Sequence, residues 1–230
     1  MQYRPRMSSA RQPVIGITAD VAHDDRGRPR HQVRATYVDA VLAAGGIPVV
    51  LPACAGVRER MLDRLDGVVI IGGDDVDTRP FGIPLHPEAR VMDPARQSAE
   101  LALLDALSAR PGVPVLGVCL GMQLMGVHRG ARLIQHLGDV LPDADRHRDD
   151  RVHPVSSELG SGPVASWHHQ AIADAPGFEV IGRSDDGVIE AIRDPARPFC
   201  VGVQWHPERT ADPVLGVGVF RKLMDAARPR

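Results

Sequence analysis

The chain of 230 residues predicts an α/β fold: a mostly parallel central sheet with helices on both faces, plus a small antiparallel extension. Two observations predict it. Through the first half, short β-branched runs alternate with amphipathic helical stretches, the pattern that parallel crossovers require. Beyond residue 130, strand-like runs follow one another with only turn residues between them, which suits antiparallel pairing. In such a sheet the functional edge lies at the carboxyl ends of the strands.

Taken in order, Val14-Ile15-Gly16-Ile17-Thr18 is the first strand. Residues 32–44 carry Val33, Tyr37, Val41, Leu42 and Ala44 at helical spacing, and Gly45-Gly46 stops that helix. Residues 47–51 read as a strand, 57–65 as a helix, and 68–71 as a third strand running into Gly72-Gly73. The longest amphipathic helix spans 93–109 and leads to the apolar run Val113-Pro114-Val115-Leu116. After it, 131–136, 178–182, 188–193 and 199–205 are short strand-like runs, and 212–227 closes the chain as a helix. Residues 142–151 are charged and broken by Pro142, as in a solvated loop, and 156–162 are small and flexible. No repeat or second domain is indicated. Residues 13–230 read as one domain with a substantial core, preceded by a disordered tail over 1–12.

A net charge of −2, from 27 basic and 29 acidic residues, creates no field to recruit nucleic acid or an anionic membrane. No apolar run approaches the length of a membrane span, and the arginine-bearing N-terminus lacks the apolar core of a signal peptide. The three cysteines, Cys54, Cys119 and Cys200, form no metal-binding spacing and leave an odd count. This points away from a disulfide framework and towards a reducing, cytoplasmic setting.

Chemistry concentrates in two strings. Gly117-Val118-Cys119-Leu120-Gly121 follows a strand and opens the helical Met122-Gln123-Leu124-Met125, the pattern of a nucleophile elbow. A sharp strand-to-helix turn exposes its apex side chain, and the helix N-terminus favours a thiolate and a developing oxyanion at the same point. A free cysteine is otherwise a small buried hydrophobe. Far along the chain, Val201-Gly202-Val203-Gln204-Trp205 delivers His206-Pro207-Glu208 at a strand end. A thiol nucleophile needs a base within hydrogen-bond reach and a carboxylate to orient it, and His206 and Glu208 supply both types. The bland alternative is a polar loop that happens to hold His and Glu.

Four strings occur in order: Ile71-Gly72-Gly73-Asp74-Asp75-Val76-Asp77, the Cys119 string through Gln123, Ser166-Trp167-His168-His169-Gln170-Ala171, and Gly202-Val203-Gln204-Trp205-His206-Pro207-Glu208. Together they resemble the class I glutamine amidotransferase-like hydrolases, and within these the γ-glutamyl-γ-aminobutyrate hydrolase (peptidase C26-like) family. The resemblance implies a flavodoxin-like class I glutamine amidotransferase fold. It implies Cys119 as nucleophile, His206 as base and Glu208 as its orienter, with the backbone N–H groups of Gly73 and Leu120 forming the oxyanion hole. It further implies that Gln123, Ser166, Trp167 and His168 line the substrate site.

The activity so implied is hydrolysis of the γ-glutamyl amide of a small γ-glutamyl amine, through a γ-glutamyl thioester, to glutamate and amine. No cofactor is implied, nor a metal: His168 and His169 are adjacent and face opposite ways on an extended segment. Asp75 and Asp77 read as loop hydrogen-bonding groups. Asp74, Thr78 and Arg129 depart from the family pattern, and the span from His153 to Ser166 is short beside the leaving-group side. The alternative is a glutaminase subunit that delivers ammonia to a separate synthase, which the absence of a fused synthetase segment disfavours. A non-catalytic regulatory relative is the third reading. Homo-oligomerisation is left open.

Overall fold

The structure is a computed structural model that describes residues 11–228. Its elements are β1 (Val14–Thr18), the hairpin β2 (Asp20–His23) and β3 (Pro29–Gln32), α1 (Ala35–Ala43), β4 (Ile47–Leu51), α2 (Arg58–Met61) and β5 (Gly67–Ile70). Then come α3 (Pro94–Ser108), β6 (Val115–Val118), α4 (Leu120–His128), β7 (Leu133–Ile134), β8 (Arg151–Ser157) and β9 (Gly160–Ser166). The chain continues through β10 (Ala171–Ile172), β11 (Glu179–Ser184), β12 (Ile189–Arg193) and β13 (Cys200–Val203) to α5 (Val217–Ala227).

The main sheet has nine strands in the order β4-β1-β5-β6-β13-β12-β11-β8-β9. Strands β4, β1, β5, β6 and β13 are parallel, and β12, β11, β8 and β9 extend the sheet antiparallel, as expected. The central strands are covered on both faces, which is why they read as continuous apolar runs rather than alternating ones. Ile15, Ile17 and Val69 pack with Tyr37 and Val41 of α1 and with Phe220 and Leu223 of α5. Val68, Ile70 and Val115 pack on the other face with Leu103 and Leu107 of α3 and with Leu120 and Leu124 of α4.

Several boundaries differ from those the sequence predicts, each for a local reason. The helix expected from residue 32 begins at Ala35, because His31 and Gln32 pair with Val21 and Asp20 in a hairpin. The closing helix begins at Val217 instead of 212, because Asp212 Oδ1 first accepts the N–H groups of Val214 and Leu215 in a turn. The stretch 156–162, expected to be flexible, belongs to the β8–β9 hairpin, paired from Arg151↔Ser166 to Ser157↔Gly160. Within the expected solvated loop 142–151, His147 is fully buried. Most of the expected tail, residues 1–12, falls outside the described residues; Arg11 pairs with Asp66, and Gln12 Nε2 donates to Gly45 O.

At the amino end of α3, Asp93 accepts the Ala95 N–H at 2.8 Å and Pro94 occupies the first turn, so the longest helix starts where its sequence says it should. The helix carries Arg96 and Glu100 into the interior beside Arg58. Arg58 Nη1 lies 3.2 Å and Arg96 Nε 3.6 Å from the Glu100 carboxylate, and all three side chains are fully buried. Removing Glu100 strands the buried Arg58 without a counter-charge and leaves Arg96 with Asp20 alone, 2.9 Å from its Nη1. Glu100→Gln is therefore expected to cost about 3–5 kcal/mol in chemical denaturation, and a change within error would show that the arginines are satisfied without it.

Three strands that lie side by side, β5, β6 and β13, end at the same sheet edge. The register Ile70↔Gly117 and Val118↔Val203 brings the chain after each strand to one level. Ile71-Gly72-Gly73, Cys119 and Gln204-Trp205-His206 are thereby gathered from segments far apart in sequence.

Candidate active site

Cys119 sits between β6 and α4 at φ 52° and ψ −108°, a left-handed φ that a residue with a side chain adopts only when its surroundings impose it. Its flanking glycines account for the turn. A Cβ on Gly117 would lie 2.9 Å from the backbone of Gly121 and Met122, and one on Gly121 would lie 2.2 Å from Ile70 O, so α4 can pack down onto β5 and β6 only with glycine at both positions. The backbone is further held by Cys119 N–H to Val203 O at 2.8 Å. The thiol is buried, with its Sγ 3.6 Å from Gln204 Nε2 and 3.7 Å from the Trp167 carbonyl.

The orientation of Gln204 follows from a relay. The Gln170 carbonyl can only accept, so Gln123 Nε2 donates to it at 2.9 Å and to Gln204 Oε1 at 3.2 Å. This turns the Gln204 amide nitrogen towards the sulfur, where a donor favours the thiolate. Both amide hydrogens of Gln123 are thus spent inside the protein, and only its Oε1 is left for a ligand. Gln123, expected in the substrate site, is buried beside the thiol pocket, where it orients Gln204.

His206 Nδ1 and Glu208 Oε1 are 2.7 Å apart, which leaves Nε2 as the nitrogen available to the thiol. Burial alone would push the imidazole below its ordinary value, but the charges of Cys119 and Glu208 outweigh it and hold His206 at about 9. A raised histidine stabilises the fold fully below its ordinary value, and that contribution is lost as pH rises towards about 9. The Glu208 side chain is fully buried, and Arg209 Nε lies 3.5 Å from its Oε1.

Among the described residues, the N–H groups of Leu120 and Gly73 make no hydrogen bond, so both are free to serve an oxyanion. The glycine in contact with the reacting pair is Gly72: a Cβ there would lie 2.9 Å from His206 Cε1 and 3.4 Å from Cys119 Cβ. Its N–H donates to Tyr37 Oη at 2.9 Å and its carbonyl accepts from Arg96 Nη2 at 2.9 Å. Arg96 also occupies the space beside Gly73, where a Cβ would lie 2.0 Å from its Nη1. Tyr37, Arg96 and Gln204 are the residues that sequence reasoning missed. Tyr37 had helical spacing among core residues, and Arg96 lay on a long amphipathic helix.

Successive side chains at the end of β9 and after it take different environments. Trp167 is half exposed, its carbonyl faces the thiol, and the Arg209 guanidinium lies 5.6 Å from its ring centroid. Ser166 and His168, expected to line the substrate site, turn inward: Ser166 Oγ donates to His147 O at 3.1 Å, and His168 Nδ1 bonds Gln170 O at 3.0 Å. Their side chains are buried and contribute to the site only through the backbone they position. Burial lowers the His168 imidazole from its ordinary value, against the pull of Glu190. His169 faces the other way and meets Asp75 at 2.8 Å, while Asp77 pairs with Arg79. Cys54 and Cys200 are free thiols away from the elbow.

A family model for peptidase C26 matches residues 13–208. A Mycobacterium tuberculosis protein named as a glutamine amidotransferase is 36% identical over 237 residues, covering 95% of this chain and 76% of its own. The γ-glutamyl-γ-aminobutyrate hydrolase of Escherichia coli K12 is 28% identical over 221 residues, covering 85% of each. Among solved structures, a GMP synthase component from Thermoplasma acidophilum superposes with a TM-score of 0.67 at 18% identity, covering 94% of each chain. A glutamine amidotransferase from Thermotoga maritima superposes with a TM-score of 0.59 at 15% identity, over 86% of this chain and 77% of that one. These two share the fold class expected from the sequence. No helix among the described residues is long and apolar enough to cross a membrane. The extent of the family match and the identity to the mycobacterial protein place the chain in the peptidase C26 family of glutamine amidotransferase-like hydrolases.

Proposed function

We propose that the protein hydrolyses the γ-glutamyl amide bond of a small γ-glutamyl amine, with Cys119 as nucleophile, His206 as acid and base, and Glu208 as the orienter of His206. The observation that carries the reading is the strained Cys119 at the N-terminus of α4, beside a His206–Glu208 pair 2.7 Å apart. At neutral pH the raised His206 is an imidazolium that supports a thiolate. The thiolate attacks the γ-carbonyl, and the oxygen's negative charge falls on the N–H groups of Leu120 and Gly73. Collapse of the tetrahedral intermediate transfers the His206 proton to the departing amine and leaves a γ-glutamyl thioester.

Acylation removes the thiolate charge, one of the causes that hold His206 high. The imidazole, having given its proton to the amine, is neutral and takes a proton from water as the water attacks the thioester. Glutamate leaves and the ion pair is restored. The chemistry draws on these groups alone and names no cofactor. Its setting is a reducing cytoplasm, in keeping with three free thiols.

The γ-glutamyl half is the constant part of the substrate in this reading, and the half-exposed Trp167 borders the side from which the amine departs. Steady-state kinetics against glutamine and a panel of γ-glutamyl amines test it. At least one γ-glutamyl amine is expected to show a higher kcat/KM than glutamine with the isolated protein. Activity confined to glutamine, and appearing only when a synthase is added, would replace this reading with that of an ammonia-delivering subunit.

A further inference from the structure

Four buried groups outside the reacting set converge on one point. His147 comes from the turn Ala144–His147, His153 from β8, His168 from the segment after β9, and Glu190 from β12. One ligand atom from each lies within 4.8 Å of all the others. His147 Nδ1 and His153 Nε2 are each 3.5 Å, and His168 Nε2 is 3.7 Å, from Glu190 Oε1. All four side chains are at most 2% exposed. The three inward ring nitrogens and both Glu190 oxygens have no hydrogen-bond partner.

The opposite ring nitrogens show what the inward ones carry. His168 Nδ1 bonds the Gln170 carbonyl at 3.0 Å, His153 Nδ1 bonds the Pro154 carbonyl at 3.3 Å, and His147 Nε2 bonds Asp186 Oδ2 at 2.8 Å. A carbonyl or carboxylate accepts, so those nitrogens hold protons, and in the neutral imidazoles the inward ones present lone pairs. Three lone pairs and a carboxylate facing each other repel unless a cation lies among them. The same outer contacts fix the tautomer and ring orientation of metal-ligating histidines. An ion held tetrahedrally at about 2.0–2.1 Å keeps its ligand atoms roughly 3.4 Å apart, and the three separations from Glu190 Oε1 are 3.5, 3.5 and 3.7 Å.

We propose that His147, His153, His168 and Glu190 form a closed site for one divalent first-row transition ion, with zinc the best match. Three imidazoles select against magnesium and calcium, and four protein ligands leave no open position for a substrate, as in structural zinc sites. The ion would join β8 and β12 to the segment that follows β9. His168 is the neighbour of Trp167, whose carbonyl faces Cys119 Sγ, and it shares the Gln170 carbonyl with Gln123. The site thus pins the wall of the thiol pocket without taking part in the reaction. Sequence spacing hid it, because the ligands are separated by stretches of unequal length and only the β8–β9 hairpin returns His168 to His153. The proposal stands apart from the hydrolase reading.

The test uses the full chain, stripped with a chelator and titrated with Zn²⁺ or Co²⁺, with elemental analysis and the visible spectrum of the cobalt form as readouts. One ion per chain, a tetrahedral cobalt spectrum and a higher thermal midpoint with zinc are expected. Glu190→Gln and His153→Asn should abolish binding. Asp186→Asn, outside the ligand set, should weaken it about 10- to 100-fold. Should a ligand variant fail to fold, the wild-type cobalt spectrum and Asp186→Asn carry the decision. Folded wild-type protein that takes up no stoichiometric ion and gives no cobalt spectrum, or binding unchanged in Glu190→Gln, would overturn the site and leave a proton-sharing cluster in its place.

Discussion

Cys119→Ala should reduce kcat about 10⁶-fold, the scale seen when the nucleophile of a comparable catalytic set is removed. The effect is expected to be almost purely chemical. The hydrogen bonds of Cys119 Sγ to Gln204 Nε2 and the Trp167 carbonyl are long, at 3.6 and 3.7 Å, and the backbone that shapes the elbow is held by Gly117, Gly121 and the bond to Val203 O. The alanine variant should therefore keep its thermal midpoint near that of the parent while losing turnover. Quench-flow assays on both proteins, with calorimetry alongside, separate the two quantities. Residual activity within tenfold of the parent would place the nucleophile elsewhere.

Glu208→Gln retains shape and removes charge. The buried Glu208 carboxylate accepts from His206 Nδ1 at 2.7 Å, and its charge is one of the causes that hold the imidazole at about 9. Its loss has two consequences. The preferred tautomer is no longer enforced, which in a comparable triad costs about 10⁴-fold in kcat. The alkaline limb of the kcat/KM profile, where the imidazolium is lost, should also move below its parent position near 9. The other groups that act on His206 are Cys119, which raises it, and burial, which lowers it, and neither is altered by the substitution. A rate and profile unchanged from the parent would mean that Cys119 and His206 suffice and that Glu208 is structural.

Much of the site was legible because it lies in local strings. Gly117 and Gly121 marked the elbow, and the structure shows why each must lack a side chain. The His206-x-Glu208 spacing proved sufficient for a direct hydrogen bond. The parallel half of the sheet was legible for a related reason: its buried strands are short β-branched runs with glycine-rich ends. What escaped depends on contacts between distant segments. Tyr37 looked like a core residue, yet its hydroxyl accepts the Gly72 N–H. Ser166 and His168 belonged to a recognisable string, but their inward orientation is decided by His147 and Glu190 across the fold. The β8–β9 hairpin was hidden because serine, glycine and proline suggest a flexible turn, while its pairing is supported by β11 on the neighbouring side.

The central claim is a covalent γ-glutamyl enzyme on one sulfur, and it is tested most directly by trapping. A γ-glutamyl diazo-ketone, incubated with the protein and mapped by peptide mass spectrometry, should place a single γ-glutamyl adduct on Cys119, none on the other two free thiols, and no adduct at all in Cys119→Ala. Labelling of Cys54 or Cys200 in the active protein, or stoichiometric labelling of Cys119→Ala, would contradict the account.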